Sequence, residues 1–252
     1  MNEQFSRTAM LLGEEGINKL SDSKVLVFGV GGVGGFVVEG LARAGVGHID
    51  IVDNDSVCLS NLNRQIIALH STVGMDKADV CRNRIKDINP ECEVNVFKCF
   101  YLPETADQFD FAAYDYVIDA IDTVTAKIDI IVKCTEAGIP VLSSMGTGNK
   151  LDPTQIEVTD IYKTEMDPLA KVMRRELKKR GVRKLKVVYS GEKALKPDYS
   201  FDSEKEETLA DNEQSGSTGR KKLPPGSVSF VPSVAGLVIA SEVIKDILGI
   251  KK

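Results

Sequence analysis

The chain has 252 residues, 42% of them apolar, which is enough for one large domain or two small ones around a buried core and excludes disorder as the general state. With 32 Lys and Arg against 37 Asp and Glu the formal net charge is −5, so nothing chain-wide attracts nucleic acid, and only a local basic patch would do so. No uncharged apolar run reaches bilayer length and the N-terminus MNEQFSRTAM has neither an h-region nor a small-residue cleavage site, so the expected location is the cytoplasm, in solution.

In chain order, Ala9, Leu12, Ile17 and Leu20 predict a helix over 8–21, and KVLVFGV at 24–30 has the length and continuous apolar character of a buried strand. GGVGGFVVEGLARAGV reads as a helix from about Val33, with its apolar stripe on Val37, Leu41 and Ala44, and HIDIVD at 48–53 as a second strand. The rhythm continues with a helix at 74–88, a strand at 94–100, YDYVIDAID at 114–122, a helix at 125–137 and IPVLSSM at 139–145. Strands alternating with helices predict an α/β fold, a doubly wound, mostly parallel Rossmann-like sheet. Beyond 150 come a strand at QIEVTDIY, a helix N-capped by Asp167 with Pro168 in its first position, and a strand at LKVVYS. Residues 196–227 are poor in apolar groups and predict a mobile loop; a helix at 233–248 is read as a core or subunit-interface element. The division is a nucleotide-binding region at 1–150 and a C-terminal substrate and dimer region at 151–252, together one compact domain.

The five cysteines, at 58, 81, 92, 99 and 134, form no CxxC pair and no zinc-spaced cluster with His48 or His70. They are expected to be small buried hydrophobes, the two histidines isolated surface or capping residues, and no zinc is expected.

Gly29, Gly31 and Gly34 form GxGxxG between a strand and a helix, with Gly32 inside the turn and Asp53 at the end of the next strand. Such glycines admit phosphate to a helix N-terminus, and the carboxylate accepts from ribose hydroxyls. NAD and ATP both fit so far. The loop VDNDSVCLSNLNRQ then supplies Asp55, Asn61 and Arg64, and Lys77 opens the next helix. A diphosphate has no use for these extra charges, whereas displacement at a triphosphate develops charge that a guanidinium, an ammonium and Mg²⁺ neutralise. Asp122, after VIDAI, stands where an open α/β sheet binds ligands and is the candidate Mg²⁺ carboxylate.

SRTAMLLGEEGINKL, the run from VLVFGVGGVGG to NLNRQ, VGMDKADV, INPE and YVIDAID together resemble the E1-like adenylating superfamily over residues 5–145. The resemblance implies conversion of a carboxylate substrate to an acyl adenylate with loss of pyrophosphate. It implies that Gly31 and its neighbours bind ATP with Asp53, that Asn61, Arg64 and Lys77 act on the phosphates, and that Asp122 binds Mg²⁺. It also implies a homodimer in which Arg7 reaches the ATP of the other subunit. ThiF- and MoeB-like members that activate ubiquitin-like sulfur carriers usually hold zinc with two CxxC pairs, which this chain lacks, and no cysteine follows Cys134. NKLDPTQIEVTDIYKTEMDPLAKVMRRELKKRGV resembles instead the branch that dehydrates threonylcarbamoyladenosine in tRNA.

Charge points the same way. Residues 166–196 hold eleven basic and three acidic side chains, a local balance of +8 in an acidic chain. Arg174, Arg175, Lys178, Lys179, Arg183 and Lys186 are the candidate RNA contacts. Three other readings stay open: a zinc-free activator of a ubiquitin-like carrier, a scaffold without turnover, and, more remotely, an NAD dehydrogenase. The sequence also leaves open whether a cysteine-desulfurase-type accessory protein takes part.

Overall fold

Helix α1 (Ser6–Ser21) leads into β1 (Lys24–Phe28), whose residues after the first are all buried, as in a strand covered on both faces. Helix α2 (Gly34–Ala44) returns the chain to β2 (His48–Val52), parallel to β1 with Lys24 opposite His48 and Phe28 opposite Val52. Then follow α3 (Lys77–Ile88), β3 (Val96–Phe97), β4 (Tyr116–Asp119), α4 (Val124–Ala137), β5 (Val141–Ser144), β6 (Ile156–Asp160), α5 (Pro168–Lys179), β7 (Lys186–Ser190) and α6 (Phe230–Leu248). These elements belong to a computed structural model that describes residues 3–201 and 223–250. The seven strands form one sheet in the order β3-β2-β1-β4-β5-β7-β6, parallel except for β6, which runs against β7. The expected mostly parallel α/β sheet is therefore present.

Alternation along β1 sorts the core. Val25 and Val27 face the side covered by α2, α3 and α6, whereas Leu26 and Phe28 face the side of α4 and an aromatic group of Tyr101, Phe109 and Phe111. A third cluster joins α4 and α5 to Val187 and Tyr189 of β7. The strands beyond residue 150 thus extend the same sheet, and α6 lies along α2. Of the two readings of the helix expected at 233–248, core or subunit interface, its apolar face fits the first: from Val231 through Val243 it is buried within the chain and does not by itself call for a second subunit.

Other departures have local causes. Gly13, at φ 74 and ψ 165, breaks α1 inside the expected helix. The edge strand expected at 94–100 shortens to Val96–Phe97, because at Lys98 the chain leaves the sheet to pair with Asp76 and Asp79 of the α3 start. The strand expected to reach 122 stops at Asp119, beyond which the backbone crosses the glycine turn. Asp167 caps α5 by accepting from Ala170 N at 2.8 Å, as its sequence predicts. Cys58 is exposed and Cys99 half-buried, so only Cys81, Cys92 and Cys134 fit the buried expectation. His48 is not isolated: its Nε2 lies 2.7 Å from Asp50, which also accepts from Tyr114. The mobile loop expected at 196–227 lies largely outside the described residues.

Candidate functional site

The cleft opens at the carboxyl ends of β1 and β4, where the sheet order switches direction. Its floor is the turn between β1 and α2. Gly34 is fixed by close approach, since a Cβ there would stand 1.8 Å from the carbonyl oxygen of Gly29. Gly31 serves a different purpose: a Cβ would meet only Gln65, at 3.8 Å, so this backbone faces open space. The turn therefore presents its peptide groups and the start of α2 to the cleft, a favourable place for anionic oxygens.

Asp53 stands just past β2. Its Oδ2 accepts from Val30 N at 2.8 Å and its Oδ1 from Asp55 N at 2.9 Å, so the carboxylate braces the glycine turn and still lines the cleft. Burial raises its pKa, and the two backbone N–H donors, with Lys77 nearby, oppose that rise. Lys77, the buried first residue of α3, is held through its ammonium by Asp55 at 2.7 Å. Asp55 is thus the counter-ion that positions Lys77. Asn61 is buried and accepts from Cys58 N at 3.1 Å, which fixes the short turn it closes. Arg64 donates from Nη1 to Ser60 O and Asn63 Oδ1, each at 2.9 Å, and burial lowers its pKa.

The opposite wall carries Ala120, Ile121 and the exposed Asp122, with Phe100 and Tyr101 beside them. Gly29, Gly31, Gly32, Asp53, Asp55, Asn61, Arg64, Lys77 and Asp122 all line this one cleft of about 570 Å³; Gly34 lies behind it, packed on Gly29. One carboxylate beside phosphate oxygens suits a Mg²⁺ that arrives with a nucleotide, because this ion keeps several waters and takes one or two protein carboxylates. Among the described residues, no group of three or more His, Cys, Asp and Glu gathers as a ready-made metal site.

Sequence reasoning missed several lining residues. Gln65, buried with Oε1 lacking a partner, is adjacent to Arg64 and was within reach of the same motif. Thr147, Gly148, Pro224, Pro225, Ser227 and Pro232 come from distant segments, and no local pattern announces them.

Arg7 is exposed near the start of α1, away from the cleft lining, followed by Met10 and Leu11 at 81% and 87% exposure. The basic candidates divide. Arg174 donates to Thr164 O at 2.7 Å, and Lys186 binds Asp246 at 2.7 Å, so both serve the fold. Arg175, Lys179 and Arg180 converge on Glu176 and, donating hydrogen bonds to it, hold its carboxyl down at about 2. Lys178 and Arg183 are exposed.

A family model described as the ThiF family matches residues 5–252. The chain belongs to the ThiF family. Among curated relatives, it is 47% identical to the tRNA threonylcarbamoyladenosine dehydratase of Bacillus subtilis (strain 168), over 98% of this chain and 96% of that protein. The Escherichia coli (strain K12) protein of the same name is 46% identical over 70% of this chain and 66% of its own length. Among solved structures, that of E. coli tRNA N6-threonylcarbamoyladenosine dehydratase, TcdA, in complex with ATP is similar with a TM-score of 0.83 and 36% identity, covering 98% of this chain and 94% of that one. Among the described residues, no helix is long and apolar enough to cross a membrane.

Proposed function

We propose that this ThiF-family chain uses ATP to dehydrate N6-threonylcarbamoyladenosine in tRNA to its cyclic form through an acyl adenylate. The carrying observation is the convergence of Asn61, Arg64, Lys77 and Asp122 on the glycine turn in a chain so similar throughout to named dehydratases.

In this reading the peptide groups of the glycine turn bind phosphate, and Asp53 accepts from the ribose. The threonylcarbamoyl carboxylate attacks the α-phosphorus, forming a phosphorus–oxygen bond to the carboxyl oxygen as the bond to pyrophosphate breaks. Arg64 and Lys77, already oriented by Asn63 and Asp55, stabilise the charge that develops. The carbamoyl group then attacks the activated carbonyl carbon, closing the ring and expelling AMP. The nucleophile belongs to the substrate, so positioning replaces an enzyme cysteine. Asp122 would hold Mg²⁺, which when bound offsets phosphate charge.

Exposed basic side chains on and after α5 supply contacts to the tRNA backbone, and a homodimer brings Arg7 to the neighbouring site, with Met10 and Leu11 as apolar contact surface. Mass spectrometry of tRNA nucleosides after incubation with protein, Mg²⁺ and ATP tests the reading. The expected product is the modified adenosine less one water, with AMP formed in equal amount. Unchanged nucleoside, together with adenylation of a ubiquitin-like carrier, would transfer the assignment to carrier activation.

A further inference from the structure

Asn63 sits where two remote parts of the cleft wall meet. Its Oδ1 accepts from Arg64 Nη1 at 2.9 Å, and its Nδ2 donates to Ser227 O at 3.0 Å. Only an amide of this length meets both needs: Asp offers no donor, Ser is shorter, and a flipped amide would set donor against donor and acceptor against acceptor. The Ser227 segment is pinned from its other side by Asn149, whose N donates to Gly226 O at 2.7 Å while Gly226 N donates to Asn149 Oδ1 at 2.7 Å. Asn149 makes this clasp with φ at 60, a backbone region that asparagine tolerates better than most residues. Pro224, Pro225 and Ser227 are thereby set as part of the cleft wall.

We infer that Asn63 is a positioning residue that aims Arg64 at the phosphates and, through the same amide, fixes the Pro224–Ser227 wall against which the carboxylate-bearing acceptor is held. The inference rests on the proposed role of Arg64. A guanidinium has five N–H donors, and anchoring Nη1 leaves donors on the other nitrogens for phosphate oxygens while restricting the side-chain rotamers. Asn63 is exposed and makes no core contact, so its replacement is a test of aim and not of folding.

The experiment compares Asn63→Ala, Arg64→Ala and the double variant in the full chain, measuring AMP formation with ATP and threonylcarbamoyl-tRNA, and hydrogen exchange over residues 223–230. Loss of one hydrogen bond to a charged group corresponds to about tenfold, so kcat of Asn63→Ala should fall by about that factor. The loss in the double variant should fall well short of the product of the two single losses, because the part of Asn63 that acts through Arg64 has nothing left to position, and any further loss beyond Arg64→Ala comes from the wall. Exchange over 223–230 should rise while the thermal midpoint stays put. Wild-type turnover in Asn63→Ala, or losses that multiply in the double variant, would overturn the role in aiming Arg64; unchanged exchange would overturn the role in the wall. If Arg64→Ala itself turns over normally, the site assignment fails first and takes this inference with it.

Discussion

Lys127 and Asp119 form an ion pair of 2.9 Å with both side chains wholly excluded from solvent. Lys127 Nζ also donates to Ile121 O at 3.1 Å and Ser144 O at 2.8 Å, and Asp119 accepts from Ser143. One ammonium thus ties the ends of β4 and β5 to α4, and through Ile121 it sets the turn that carries Asp122. Asp119 Oδ1 has no partner, so the pair is held by the surrounding fold and not by complete satisfaction of its atoms.

Lys127→Met should lower unfolding free energy by about 3–5 kcal/mol, since it leaves an uncompensated buried carboxylate. Urea denaturation measures this, and adding Asp119→Leu should recover much of the loss. A single variant as stable as the wild type would show that the carboxylate finds water or another partner.

Arg64→Ala should reduce kcat by about 10²-fold or more, the typical effect of removing one preorganised donor from a developing charge. Single-turnover AMP formation measures the step directly. Thermal stability should barely change, because the two groups its guanidinium contacts, Ser60 O and Asn63, are both at the surface.

Asp53 makes a pH-dependent prediction. Burial raises its folded pKa, so between its unfolded and folded values the native state binds more protons than the unfolded one. Its contribution therefore favours folding below the unfolded value and declines as pH rises through the folded value. In the role proposed for Asp53, ATP binding has the opposite demand, because a ribose hydroxyl donates best to the ionised carboxylate. Affinity should begin to fall at a pH above the ordinary aspartate range of about 4, and calorimetry of Asp53→Asn should show weaker binding without that component. Identical pH profiles for variant and wild type would detach Asp53 from the nucleotide.

Much of this site was readable because its determinants are local. GxGxxG lies within six residues, Asn61 and Arg64 in one loop, and Lys77 at a helix start, so backbone geometry alone brings them to one end of the sheet. Asp55 was legible as a cleft residue, but its pairing with Lys77 was not, since that depends on how α3 docks. The wall at Pro224–Ser227 was invisible, because Asn63 and Asn149 reach it across more than seventy residues of sequence. The buried Lys127 was hidden for another reason: a lysine in a helix reads as a solvated charge until its partner strand is known.

The basic segment separates tRNA from a protein carrier, and its side chains divide into two sets with different expected behaviour. Lys171, Arg175, Lys178 and Arg183 are exposed, whereas Arg174 is committed to Thr164 and Lys186 to Asp246. Glu176 offsets part of the local charge, yet Arg175 and Lys179 remain 69% and 62% exposed while paired with it, so a phosphate can still reach them. Replacing Lys171, Arg175, Lys178 and Arg183 together by Gln should weaken tRNA binding and flatten its salt dependence. The slope of log K against log salt should fall by roughly one per lost phosphate contact, hence by at most about four. Arg174→Gln should leave that slope intact and instead lower stability by about 1 kcal/mol, the usual net value of a lost hydrogen bond. Filter binding across a salt series, paired with urea unfolding of each variant, reads both effects. A slope that responds to Arg174→Gln and not to the exposed four would move the RNA surface off this face of α5.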